Sequence, residues 1–143
     1  VLLVVDVQEK FTPVIHQSQQ LITQVGRLIQ AADQLTVPIV VSEQYPQGLG
    51  HTNGALLSLL PETVHTRVKT TFGCLADTGI EALLSELARP QVVVCGIEAH
   101  ICVNQSVHQL LEAGYQVHLV FDAVSSRAEA NRDIGIQKMI QSG

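Results

Sequence analysis

Short apolar runs alternate along the chain with longer stretches whose apolar residues recur at helical spacing. Val1 to Val5 are consecutive apolar residues closed by Asp6, the pattern of a strand buried on both faces. Ile15, Leu21, Ile22, Val25, Leu28, Ile29, Ala32 and Leu35 fall on one stripe and predict an amphipathic helix over 14–35. Pro38 opens a second strand, Ile39-Val40-Val41-Ser42, followed by a loop holding Gly48, Gly50 and Gly54. Residues 63–68 read as a weaker, more polar strand. Asp77 is placed to cap a helix carrying Ile80, Leu83, Leu84 and Leu87, which Pro90 stops. Val92 to Cys95 form another buried strand. A helix from His100 then presents Val103, Val107, Leu110 and Leu111 and closes at Gly114. Val117 to Phe121 make the next strand, ending at Asp122, and a last helix is expected over 128–141.

This β-α-β order predicts an α/β fold: an open parallel sheet with helices on both faces, three-layered and Rossmann-like. No repeat, linker or low-complexity tract divides it, so residues 1–143 are expected to form one domain. A strand that starts at the first residue and a last helix without a stop signal suggest a chain trimmed at one or both ends.

Composition narrows the function classes. With 46% hydrophobic and 15% charged residues the chain can bury a core. A net charge of -5, no Lys/Arg cluster, 3% aromatics and no Trp argue against a nucleic-acid partner. The longest apolar runs are too short to span a bilayer, so no membrane partner is expected. The three cysteines, Cys74, Cys95 and Cys102, are irregularly spaced, which speaks against a disulfide framework. With no basic leader before the first apolar run, a cytoplasmic location is expected. CxxC and zinc-type spacings are missing, so neither a metal nor a cofactor is expected.

In such a fold the site lies at the carboxyl ends of the strands. The residues placed there are Asp6, then 42–45, Lys69, 96–102 and Asp122. Cys102 falls at or just inside a predicted helix N-terminus, where the dipole favours thiolate. Lys69 could add positive charge and Asp6 could accept the thiol proton. Each has a plainer reading: Cys102 as a small core residue, Asp6 as a loop cap, Lys69 as a solvated surface lysine. Their convergence on one rim favours a site. Cys95 reads as strand packing, and Cys74 has no assigned role.

Three segments carry a resemblance: Leu3-Val4-Val5-Asp6-Val7-Gln8, Val68-Lys69-Thr70-Thr71-Phe72, and Gly96-Ile97-Glu98-Ala99-His100-Ile101-Cys102-Val103. They resemble the isochorismatase-like cysteine hydrolase family. Residues 42–52 and 120–127 resemble its subgroup of isochorismatase domain-containing proteins, and the likeness spans nearly the whole chain. It implies an isochorismatase-like hydrolase fold with a catalytic triad of Asp6, Lys69 and Cys102. Asp6 would take and return the thiol proton, Lys69 would hold the charges, and Cys102 would attack an amide, ureido or carbamoyl carbon. The resemblance further implies a non-proline cis peptide at Glu98–Ala99 and an oxyanion hole from the backbone N–H groups of Ala99 and Cys102. A small-molecule substrate and a homo-oligomer are implied partners. Phe11, Tyr45, Phe72 and His100 are candidates for the substrate pocket.

There are departures from the family pattern. Ala99 stands where many members carry Thr or Ser. Glu43-Gln44-Tyr45 stands where the nicotinamidase branch has an Asp-x-His metal site, and His51 is a lone loop histidine. No metal and no nicotinamide substrate are therefore expected. Members usually continue past this C-terminus with another strand and helix. The glycine loop reads as a lid or rim over the pocket, and Asp122 and Arg127 as a structural pair. A vinyl-ether hydrolase of the isochorismate type and a non-catalytic oligomeric scaffold remain as alternatives. A phospho-receiver also joins a strand-end Asp to a strand-end Lys. Here Val7-Gln8 follow Asp6 in place of an acidic cluster, and no acceptor Asp follows.

Overall fold

Val1, Leu3 and Val5 pack into one apolar cluster, and Leu2 and Val4 pack into another. The alternation puts the strand β1 (Leu2–Val5) between two cores, which is why its sequence has no polar face. The computed structural model describes residues 1–143. Four more strands join β1: β2 (Ile39–Gln44), β3 (His65–Lys69), β4 (Gln91–Ile97) and β5 (Gln116–Ser125). All pair in parallel, in the order β3-β2-β1-β4-β5.

Six helices cover the sheet: α1 (Ser18–Gln34), α2 (Pro46–Leu49), α3 (Gly54–Leu57), α4 (Thr78–Leu87), α5 (Asn104–Glu112) and α6 (Glu129–Ser142). Leu21, Val25, Ile29 and Ala32 of α1 pack with Leu56 of α3 on the Leu2/Val4 face. Ile80, Leu83 and Leu84 of α4, Val107 and Leu110 of α5, and Met139 of α6 pack on the Leu3/Val5 face. Burying one such Val, Leu or Ile side chain contributes about 1.5–3 kcal/mol. The two clusters thus hold β1 and β4 from both sides. No helix is long and apolar enough to cross a membrane.

The structure shifts several expected boundaries. The helix predicted over 14–35 starts only at Ser18. Thr12–Val14 form a separate 3₁₀ turn, Ile15 is extended, and Gln17 is left-handed at φ 51°. Ile15 keeps its core position all the same. The glycine loop folds into the short helices α2 and α3, with Gly50 at positive φ and Asn53 capping α3. Asp77 does cap α4, accepting from the N–H groups of Gly79 and Ile80. The strand expected to end at Asp122 runs on to Ser125, because its pairing with β4 shifts register between Val94 and Gly96. Asp122 therefore sits within β5, away from the strand ends, and accepts from Gln24 Nε2 at 2.6 Å.

The β1–β4 approach depends on one glycine. Gly96 lies opposite Val5, with φ 118°. A Cβ at Gly96 would stand 2.1 Å from the Val5 carbonyl oxygen, a backbone atom that cannot swing aside. Gly96→Ala is expected to lose about 3 kcal/mol or more of stability, from the clash and the strained φ together. Urea unfolding of the two proteins measures it; a loss under about 1 kcal/mol would show that the strands can part there.

Candidate active site

Strand ends bring the polar residues of the site together. Asp6 follows β1, Ser42 and Gln44 end β2, and Lys69 ends β3. Gln44 lies beside Lys69 and Ser42 beside Val5 in the ladder, so parallel register alone gathers them. Asp6 adopts φ 52°, a left-handed conformation that Asp tolerates better than most residues.

Lys69 and Asp6 are each 1% exposed. Lys69 Nζ donates to Asp6 Oδ2 at 2.7 Å, to Gln44 Oε1 at 2.7 Å, and to the carbonyls of Thr71 and Phe72 at 3.1 and 3.2 Å. Ser42 Oγ donates to the other Asp6 oxygen at 2.6 Å. The pair is thus buried with its hydrogen-bonding capacity filled, the condition under which buried charges are tolerated. Gln8, also buried, ties the rim together: its amide donates to the carbonyls of Gln44 and Gly50 and accepts from the Gln44 N–H.

Cys102 stands in a wide π-helical turn, Ala99–Val103, that precedes α5. The Ile101 and Val103 N–H groups both donate to the Glu98 carbonyl. Gly135 of α6 backs this turn. A Cβ there would lie 2.8 Å from the Ala99 carbonyl oxygen and from His100 Cα, so only glycine lets the helix rest so close. The non-proline cis peptide is Ile97–Glu98, one bond before the expected Glu98–Ala99. The β4 ladder ends at Ile97 and the turn begins at Ala99, so the chain changes direction on the N-terminal side of Glu98.

Asp6 and Cys102 line one cavity of about 340 Å³, with Phe11, Tyr45, Leu49, Phe72, Ile97 and Ile101 as its apolar walls. Lys69 sits behind Asp6, bonded to it and outside the lining. Of the pocket candidates expected from the sequence, Phe11, Tyr45 and Phe72 face this cavity. His100 does not: its Nδ1 meets Ser126 Oγ at 2.9 Å, outside the lining.

The thiol's electrostatics differ from the expected thiolate. Burial first, and the Asp6 carboxylate second, push the Cys102 thiol up to about 12, against a smaller opposing pull from Lys69. The helix-terminus argument fails because the side chain is 8% exposed and faces a carboxylate. Burial likewise raises Cys95 to about 12. Cys74 is raised too; its Sγ lies 3.7 Å from Ser42 Oγ, behind the ion pair.

Three residues around the site differ from the expectation or lie outside it. Arg127 does not pair with Asp122; it grips Glu98. Its Nε donates to both Glu98 oxygens at 3.1 and 3.2 Å, its terminal nitrogen to Oε1 at 2.8 Å, and its backbone N–H to Oε2 at 2.9 Å. Burial would raise the Glu98 carboxyl, and the bonds from Arg127 more than offset that, holding it below the ordinary carboxylate range. Ser42 has no role in the sequence reading, yet it is a polar residue closing an apolar run, a signal that period-2 reading can use. Glu43 accepts from the Thr52 N–H and hydroxyl and from His51 Nδ1, so its oxygens are occupied by the glycine loop.

A family model for the isochorismatase domain matches residues 1–143. The isochorismatase domain-containing protein 2 of Danio rerio is 40% identical over 144 residues, covering 100% of this chain and 71% of that protein. The Homo sapiens protein of the same name is 40% identical over 147 residues, covering 100% and 68%. Among solved structures, one described as the MAR1 ribonuclease of Caenorhabditis elegans superposes with a TM-score of 0.93 at 43% identity, over 99% of this chain and 72% of that one. Matched along its full length by the family model and by these relatives, the chain belongs to the isochorismatase family, a family of hydrolases.

Proposed function

We propose that this domain is a cysteine-dependent hydrolase of a small amide, ureido or carbamoyl-type C–N bond. One observation carries the reading: a fully buried Asp6–Lys69 pair opens, through Asp6, into the same cavity as the Cys102 thiol. A fold has little structural reason to bury a lysine and a carboxylate at strand ends beside a thiol, since such pairs add little net stability.

Cys102 starts as a neutral thiol. As substrate enters, the thiol proton passes to Asp6 while sulfur bonds to the carbonyl carbon. The oxyanion that forms is held by the backbone N–H groups of Ala99 and Cys102, each worth about 3–4 kcal/mol of barrier. Asp6 then gives its proton to the departing nitrogen, the C–N bond breaks, and a thioester-like intermediate remains. Water delivers a proton to Asp6 and its oxygen to the carbonyl carbon. The C–S bond breaks and the proton returns to sulfur. Lys69 stays protonated throughout and keeps Asp6 in register through its four acceptors. No step draws on a metal or cofactor, since the proton and the nucleophile both come from side chains.

The substrate is a small molecule by the size of the cavity. The Caenorhabditis elegans structure bears the name of a ribonuclease. In this chain the net charge of -5 and a mostly apolar lining, whose one cation, Arg127, is already paired with Glu98, suit a phosphate backbone poorly, which favours the amide reading over that one. Assembly into homo-oligomers and a cytoplasmic location belong to the same proposal.

Ammonia release from a panel of small amides and ureides is the direct assay. Cys102→Ala is expected to lower kcat by roughly 10³-fold or more with its thermal melt unchanged, and Asp6→Asn to lower kcat by a similar factor at a lowered melting temperature, because it leaves the buried Lys69 charge unpaired. A Cys102→Ala protein that keeps full ammonia release would overturn the cysteine-dependent mechanism, and one that cleaves a vinyl ether while no amide is turned over would replace this reading with cysteine-independent vinyl-ether cleavage. Turnover of RNA with none of amides would overturn it altogether. Iodoacetamide labelling supplies a second test. Below the thiol's pKa each pH unit raises the thiolate fraction about tenfold, so labelling of Cys102 should climb from about pH 7 to about pH 10 without a plateau. Asp6→Asn removes one cause of the raised value, so its profile should move to lower pH as turnover is lost. A wild-type plateau below about pH 8 would contradict the buried, carboxylate-faced thiol.

A further inference from the structure

Resting on Cys102 as the nucleophile, we infer that the site selects an uncharged carboxamide with a compact apolar body, and that Glu98 enforces this selection by cancelling the charge of Arg127.

Four charged side chains border the cavity or stand directly behind it, and they cancel in pairs. Asp6 is engaged by Lys69 and Ser42. Arg127 is engaged by Glu98 through three side-chain contacts and one backbone bond. The Glu98 side chain is 3% exposed, against 58% for Arg127. Glu98 cannot turn to water, so its pairing with Arg127 is imposed by burial.

A carboxylate-bearing substrate would find only one cation within reach, Arg127. Glu98 already neutralises that charge and holds its Nε and one terminal nitrogen, so a second carboxylate would meet a guanidinium beside an existing buried carboxylate and gain little from it. A cationic substrate would find Asp6 and Glu98, whose oxygens are already held by Lys69, Ser42 and Arg127. A neutral molecule meets neither obstacle. Arg127 also stacks over the Phe11 ring at 6.0 Å, so its guanidinium face serves as wall.

Apart from Gln44 and the Cys102 thiol, the remaining lining is apolar. Leu49, Ile97 and Ile101 form the interior, while Tyr45 and Phe72 stand at the mouth, 55% and 56% exposed. Aromatic surface left open beside a nucleophile is surface that a ligand's apolar body would cover. At water's ~30 Å³ per molecule, the cavity of about 340 Å³ holds on the order of ten non-hydrogen atoms. Benzamide and 3-methylbutanamide are of that size.

The test compares four amides: benzamide, 3-methylbutanamide, succinamate (anionic) and β-alaninamide (cationic). Each is assayed for ammonia release by the wild-type protein and for binding to Cys102→Ala by calorimetry. The neutral pair should exceed the charged pair by roughly tenfold or more in both measurements. Glu98→Gln keeps the shape and frees the Arg127 charge, so the succinamate to 3-methylbutanamide ratio should rise about tenfold. Adding Arg127→Met to Glu98→Gln should return the ratio to the wild-type value. Neutral amides bound by Cys102→Ala but not hydrolysed by wild type would sink the hydrolase reading and leave the selection standing. Succinamate hydrolysed in preference to the neutral amides would do the reverse. A folded Glu98→Gln protein with an unchanged ratio would remove Glu98 from the account. If Glu98→Gln does not fold, the wild-type and Cys102→Ala series decide the matter alone.

Discussion

The buried contact between Lys69 and Asp6 is the constraint on which the site depends. Two opposite charges removed from water are tolerable only when every donor and acceptor is met. Here that demand reaches through three strands. Ser42 and Gln44 of β2 complete the two partners, and the carbonyls of Thr71 and Phe72 close the lysine's shell. Gln8 then binds the end of β2 to the glycine loop. A shift of any of these strands by one residue would turn a charge toward apolar core and leave the other unpaired. The site and the strand register therefore support each other.

The same logic recurs on the other side of the cavity. Glu98 leaves β4 buried and is met by Arg127, which follows the end of β5. The β4–β5 register shift at Gly96 sets where β5 ends, and so where Arg127 begins its reach. Gly96 and Gly135 act by what they lack. The first lets β4 lie against β1, and the second lets α6 lie against the turn that carries Cys102. Hydrophobic burial on both sheet faces supplies the stability, and these close contacts determine where the thiol meets the carboxylate.

Much of this is legible in the residues. The continuous apolar runs identify strands buried on both faces, and the alternation of strands and helices predicts the parallel three-layer order. Asp6, Lys69 and Cys102 stand out because the ends of parallel strands share one rim, and the motifs around them resemble one family. Other features are not legible. The helix at 14–35 breaks at Gln17, since a periodic stripe does not reveal a left-handed residue within it. The Asp122–Arg127 pairing fails because a register shift lengthens β5 and carries Asp122 away. The expected thiolate fails because helix-terminus reasoning ignores burial, which outweighs it at Cys102.

Fold class, family and the three candidate residues can be read from the chain alone, because periodicity and short motifs are local properties. The packed molecule decides what those residues face. Lys69 as a solvated side chain and Lys69 as a buried cation look identical in sequence, since the four acceptors that distinguish them come from residues 6, 44, 71 and 72. The pairing of Glu98 with Arg127 and the neutral thiol are likewise sums over neighbours distant along the chain. Charge and burial act through space, and packing alone determines which groups share it.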